Sequence, residues 1–205
     1  MAGSKELRAT NSTERIVYQF KIVLLATEPA VWRRILVPEG TLDDLHAAIQ
    51  GAMGWTNSHL HLFEIAGRQF GDPELRDQDW SESVVISSVQ TSLSALFGIG
   101  RTPENNYYTY DLGDDWRHRI KFEGVWPAEN RRRYPCCIGG ARACPPEDIG
   151  GTAGYTDFLR AISKRRSRQR RSYPVLVGGA FDADDFSAAR ANMSMLNGLP
   201  NWRCS

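Results

Sequence analysis

The sequence predicts an α+β protein. A mainly antiparallel sheet carries a helix across one face in a grasp-like arrangement, followed by a long Cys/Gly/Pro loop and C-terminal helices. Three observations carry this. Residues 16–27 (IVYQFKIVLLAT) alternate and are rich in β-branched side chains, so they read as a strand, and VWRRILVP at 31–38 reads as a second. Leu42, Leu45, Ile49 and Met53 then recur at helical spacing. Two more strand pairs follow, inside 59–71 and 107–125, with no long helix between them. The order strand, strand, helix, strand, strand lays a helix on a sheet face and does not alternate helices between parallel strands.

Each element has its punctuation. Glu28-Pro29 ends the first strand and Pro38-Glu39-Gly40 the second. Thr41 suits an N-cap, and Asp43 and Asp44 favour the positive end of the helix dipole. Gly54 suits the left-handed position after the helix. In HLHLFEIAGRQFG (59–71) a strand turns at Gly67 and returns, with His59 and His61 on one face beside Phe63 and Ile65. Residues 72–90 are polar and read as loop, and 93–97 as a short helical turn. Residues 107–111 and 117–125 pair as strands across Leu112-Gly113-Asp114-Asp115. Residues 127–154 read as one long loop, ordered over 129–154. Tyr155 starts a helix that reaches Ser163 and runs into the basic tract 164–172. Asp182 caps a last helix over 183–196, with Phe186, Ala189, Met193 and Leu196 on one face. Residues 1–14 lack the apolar centre of a signal peptide and read as a disordered tail, which leaves a single domain at 15–200.

Composition narrows the function classes. A net charge of +1 over 205 residues gives no global attraction to nucleic acid or anionic membrane. No apolar run is long enough to cross a bilayer. Four Cys without a secretory signal point to a reducing, cytoplasmic setting. The chain has no Gly-Lys-Ser/Thr phosphate loop, no G-x-S-x-G elbow, no H-E-x-x-H and no dinucleotide fingerprint.

Side chains that carry chemistry gather in 107–155. Asp111, Asp114, Asp115 and His118 in YDLGDDWRH suit a divalent cation or acid–base work, and the same acids are also ordinary hairpin-turn residues. His59 and His61 offer two imidazoles to an ion that His118 or Asp115 would complete; the plain alternative is a half-buried strand. Cys137 and Cys144, with six residues between them, are soft ligands for zinc, at wider spacing than structural zinc pairs use. Otherwise they are reduced thiols buried as small hydrophobes. Zinc or another divalent metal is the one cofactor these patterns suggest. Pro145-Pro146, Glu147-Asp148 and Gly150-Gly151 precede a helix whose first amides would receive an anion or a carboxylate. Tyr110, Asp111, Asp114, Asp115, Trp116, His118, Arg142, Glu147 and Asp148 are therefore the candidate lining of one pocket. Lys164, Arg165, Arg166, Arg168, Arg170 and Arg171 form the strong charge run. It suits nucleic-acid phosphates, or reads as a solvated linker without the interleaved aromatics of a stacking surface.

The motif set resembles the plasmid pRiA4b ORF-3-like family, small proteins carried on plasmids and, in the TnpR-type members, as insertion-element passengers. The resemblance runs from Tyr18 to Leu196. It rests on W-x-x-x-H-L-H-L-F (55–63), YDLGDDWRH (110–118), YPCCIGGARACPPEDIGGTAGY (134–155) and FDADDF (181–186) followed by Asn192. One stretch departs. Where relatives carry an acidic, His-containing segment and a Trp before the last block, this chain has KRRSRQRRSYPVLVGG. The resemblance implies an accessory or interaction protein of mobile DNA that binds a protein or nucleic-acid partner, without familiar catalytic machinery. The alternative is a metal-dependent, hydrolytic enzyme using His59, His61, Asp114, Asp115 and His118. That reading requires those side chains to converge on one cleft.

Overall fold

The computed structural model describes residues 15–72, 75, 84–98, 100, 102–163 and 181–199. Its sheet begins with β1 (Ile16–Leu24) and β2 (Trp32–Pro38), which pair antiparallel. Alternation sorts β1 cleanly. Tyr18, Phe20, Ile22 and Leu24 enter the main core, while Gln19 and Lys21 stand on the other face. There Glu123 of a neighbouring strand accepts from Gln19 at 2.7 Å and from Arg34 at 2.7 Å. Helix α1 (Leu42–Met53) forms where its spacing predicts, with a full capping box. Thr41 Oγ1 accepts from Asp44 N at 3.2 Å, and Asp44 Oδ2 accepts from Thr41 N at 2.7 Å. Gly54 ends it at φ 93°, a conformation that favours glycine. The helix lays Leu42, Leu45, Ile49 and Met53 into the same core as Phe20, Phe63 and Phe97.

After α1 come β3 (His61–Ile65), β4 (Arg68–Gly71), β5 (Val85–Ser87), the short α2 (Leu93–Leu96), β6 (Asn106–Tyr110), β7 (Trp116–Pro127) and β8 (Cys136–Ala141). One eight-stranded sheet results, in the order β5-β4-β3-β6-β7-β1-β2-β8. Every neighbouring pair is antiparallel except β4 and β5. The fold class is α+β, with α3 (Gly151–Ser163) and α4 (Ala188–Asn197) completing the described helices. No helix among the described residues is long and apolar enough to cross a membrane.

Four local readings change. Residues 72–90 contain β5, and residues 127–154 contain β8, so each predicted loop supplies a strand at one edge of the sheet. Helix α3 starts at Gly151, ahead of the predicted Tyr155. The last helix starts at Ala188, because Asp182 closes a turn of its own, with Oδ1 accepting from Asp184 N at 3.0 Å, and Ser187 does the capping. This shift in register turns the helix. Ala191 and Met195 face inward, while Met193 and Leu196 are exposed. Phe186 instead packs against the core from the preceding turn, over the guanidinium of Arg33. Helix α4 lies against both α1 and β8. Beside β8 the Asn192 side chain accepts from Cys137 N at 2.6 Å and donates to Cys137 O at 3.1 Å. The tail 1–14 and the tract 164–172 lie outside the described residues.

Candidate functional site

Three segments meet at one end of the sheet: residues 54–60 after α1, the 111–115 turn between β6 and β7, and the 142–150 loop after β8. The first is pinned by a buried polar network. Gln50 Nε2 donates to Tyr108 Oη at 2.9 Å, and Tyr108 Oη lies 2.8 Å from His46 Nδ1. His46 Nε2 lies 2.7 Å from Asn57 Oδ1, which only accepts. With the His46 proton placed on Nε2 to meet that acceptor, Tyr108 donates to Nδ1. Gln50 Oε1 also accepts from Asn57 N at 3.2 Å. The 54–60 segment is thus fixed from beneath by a helix and a strand.

Tyr110, the last residue of β6, joins all three segments. Its hydroxyl accepts from Ser58 N at 2.9 Å and donates to Glu147 Oε1 at 2.6 Å. Burial, with the Glu147 carboxylate beside it, pushes this phenol well above its ordinary value, so it stays a donor. Glu147 also accepts from Thr56 N at 3.1 Å and from the Thr56 hydroxyl. Trp55 Nε1 donates to Pro145 O at 3.0 Å, and Gly150 N donates to Asp114 Oδ2 at 3.1 Å. The Pro/Gly loop is therefore ordered through its carboxylates and carbonyls.

Around this hub, His59, Asp111 and Asp148 bring one imidazole nitrogen and two carboxylate oxygens within 4.8 Å of one another. His59 Nε2 is 3.0 Å from Asp148 Oδ1 and 3.6 Å from Asp111 Oδ2. Such a set can hold a divalent cation with positions open to solvent. Beside it, a cleft of about 650 Å³ runs between the end of α1, the 143–148 loop and α4. Trp55 and Phe181 give it apolar wall, Glu147, Asp148 and Asp185 acidic rim, and Arg33 and Arg190 its cations.

The structure assembles part of the predicted site and dismantles the rest. Tyr110, Asp111, Glu147, Asp148 and His59 come together. Asp114 belongs to the start of α3: its side chain accepts from Gly150 N, and its carbonyl occupies the space where a Cβ at Gly151 would stand. Asp115 is an exposed turn residue at φ 49°. Arg142 turns away to the Asp184 carboxylate. Trp116 and His118 are fully buried and cannot line a pocket. His61 is buried as well, stacked on His46 with ring centroids 3.7 Å apart. The set His59, His61, Asp114, Asp115 and His118 therefore does not converge, because alternation sent His61 and His118 into the covered face of the sheet. Burial pushes His118 down to about 4, so it sits there neutral. Cys137 and Cys144 are free thiols, and no third metal-ligating side chain joins them among the described residues. Burial raises both. Lys164, Arg165, Arg166, Arg168, Arg170 and Arg171 lie outside the described residues. Sequence reasoning missed His46, Gln50, Trp55 and Arg33 as parts of this end of the molecule. Arg33 has a signal in retrospect, since it shares its strand face with Ile35 and Val37.

Comparisons place the chain among known proteins. Protein y4hQ of Sinorhizobium fredii (strain NBRC 101917 / NGR234), which is uncharacterised, is 36% identical over 182 residues, 88% of this chain and 89% of that one. A crystal structure of protein MM3350 from Methanosarcina mazei Go1, of unknown function, superposes with a TM-score of 0.75 at 32% identity. It covers 86% of this chain and 98% of its own. The sequence profile described as plasmid pRiA4b ORF-3-like protein matches residues 16–190. The chain belongs to the plasmid pRiA4b ORF-3-like family.

Proposed function

We propose that the chain is a binding module that receives a segment of a protein partner in the cleft between α1, the 143–148 loop and α4. The ordering of that loop carries the reading. Trp55, Thr56, Tyr110 and Asp114 hold it at Pro145, Glu147 and Gly150, so the cleft is a standing feature of the fold. Preformed concave sites with apolar wall and a few converging polar groups are the usual form of binding sites. The rim argues for protein over nucleic acid. Glu147, Asp148 and Asp185 outnumber the two cations, Arg33 and Arg190, and that balance disfavours a phosphate backbone. Nucleic acid, if bound, falls to Lys164, Arg165, Arg166, Arg168, Arg170 and Arg171. An accessory role alongside plasmid DNA draws on the plasmid named in the family's description, and a wider mobile-element or TnpR-type setting is part of the same proposal. A photo-crosslinking side chain at Ser194, on the cleft, is expected to capture one defined protein from host lysate, and one at the exposed Arg119 of β7 is expected not to. Capture of nucleic acid only, or of the same species from both positions, overturns the reading.

A second reading, a metal-dependent and hydrolytic enzyme, is favoured by the His59–Asp111–Asp148 group alone. Three protein ligands would leave positions for water and substrate on zinc or another divalent ion. Elemental mass spectrometry of untagged protein decides it. One divalent ion per chain that Asp111→Asn removes and Cys137→Ser keeps supports a metal centre here. Metal-free protein assigns the three side chains to ion pairing alone.

A further inference from the structure

Arg33 is a cation at a core position. It stands on the inner face of β2 with Ile35 and Val37, and only 3% of it is exposed. Nε donates to Ala52 O at 2.9 Å, and Nη1 donates to Trp32 O at 2.8 Å and Ala141 O at 3.0 Å. All three acceptors are neutral carbonyls. No carboxylate pairs with Arg33 among the described residues. The hydrogen bonds of Arg33 to described residues all come from Nε and Nη1, which leaves Nη2 for the cleft that Arg33 lines. The ring of Phe186 covers the guanidinium at 4.6 Å and fixes its plane.

A buried charge without a counter-charge is costly. The Ala52 carbonyl belongs to the last turn of α1, whose dipole supplies only about half a negative charge. The nearby thiols of Cys137 and Cys144 do not help, because burial keeps them protonated. The acids of the cleft are otherwise occupied. Glu147 is held by Thr56 and Tyr110, Asp148 faces His59, and Asp185 pairs with Arg190. Arg33 is thus left as the cation in the cleft that lacks an anion.

We propose that Arg33 anchors a carboxylate of the partner segment, an acidic side chain or a chain terminus, inserted into this cleft. The proposal rests on the cleft being the binding site and names the group it selects. A carboxylate suits it better than a phosphate for two reasons. Only one donor edge of the guanidinium is left, and the three rim acids repel a near-dianion about twice as strongly as a monoanion. The body of the ligand would lie against Trp55 and Phe181. A charge-assisted hydrogen bond in a desolvated site is the stronger kind.

The full chain, isotope-labelled for NMR, is titrated separately with benzoate, benzyl alcohol and inorganic phosphate. The Trp55 indole N–H and the backbone amides of 143–148 are followed. Benzoate is expected to bind about tenfold more tightly than benzyl alcohol, the scale of one charge-assisted bond. Arg33→Met is expected to remove that preference. Ser194→Trp, a bulky side chain at another residue lining the cleft, is expected to abolish both shifts and serves if Arg33→Met does not fold. Equal binding of benzoate and benzyl alcohol overturns the Arg33 proposal and leaves the cleft as the binding site. Phosphate binding more tightly than benzoate overturns the choice of carboxylate. No shift of these signals by any probe overturns both the proposal and the reading of the cleft.

Discussion

Burial holds His118 neutral, and this has a pH signature. Its imidazole is wholly enclosed, Nδ1 lies 3.2 Å from the Tyr108 carbonyl, and burial pushes it down to about 4. An unfolded His titrates near 6.5. Between those values the unfolded chain binds a proton that the folded chain refuses. The stabilisation is therefore complete above about pH 6.5 and is lost as pH falls toward 4. Denaturant unfolding at pH 7 and pH 4.5 should show wild type losing roughly 2–3 kcal/mol more than His118→Phe. Equal losses would mean that His118 is protonated in the fold. Tyr108→Phe makes a second test, because it strips a partner from both Gln50 and His46 inside the core. It should cost about 2–4 kcal/mol, measured in the same way. At this scale the sequence was half legible. Asp111, Glu147, Asp148 and His59 carry their chemistry on their faces. Period-two alternation, however, groups His61 with Phe63 without saying that the shared face is covered. A polar side chain on a helix or strand, such as His46 or Arg33, reads as solvent-facing until its neighbours are known.

Elements were most legible where local rules acted alone. The box at Thr41 and Asp44 and the left-handed Gly54 delimit α1 by adjacent residues only, and α1 falls where they place it. β5 and β8 were hidden because short edge strands exist through their neighbours. β8 takes its form from β2, across a register shift between Arg34 and Ile35, although its own sequence carries Gly139-Gly140. Helix α3 depends on contact with the 111–115 turn. Gly151 sits at φ 65°, and a Cβ there would run into the Asp114 carbonyl oxygen. Gly151→Ala should therefore cost about 2–3 kcal/mol by thermal or denaturant unfolding, from strain plus the clash. Gly67→Ala, at φ 74° with nothing nearby, should cost about 1 kcal/mol. On α4, Met195→Ala should cost about 2–4 kcal/mol, while the exposed Met193→Ser should change stability by less than about 0.5 kcal/mol. The opposite order would restore the register first read from the sequence.

For the whole molecule, the α+β class was legible and the strand order was not. Sheet order depends on pairings between distant segments, such as β1 with β7, which no local pattern encodes. The candidate site follows the same rule. His59, Asp111 and Asp148 belong to three segments, and only the assembled sheet brings them together. An open sheet also has ends. At the β8 end, the outward N–H and C=O of Cys137 meet the Asn192 carboxamide, which offers one acceptor and one donor as a further strand's backbone would. One side chain thus acts as a stopper against strand-by-strand stacking of copies, the hazard of any bare sheet margin. Asn192→Leu leaves that margin open, and sedimentation should then find more self-association at a given concentration than in wild type.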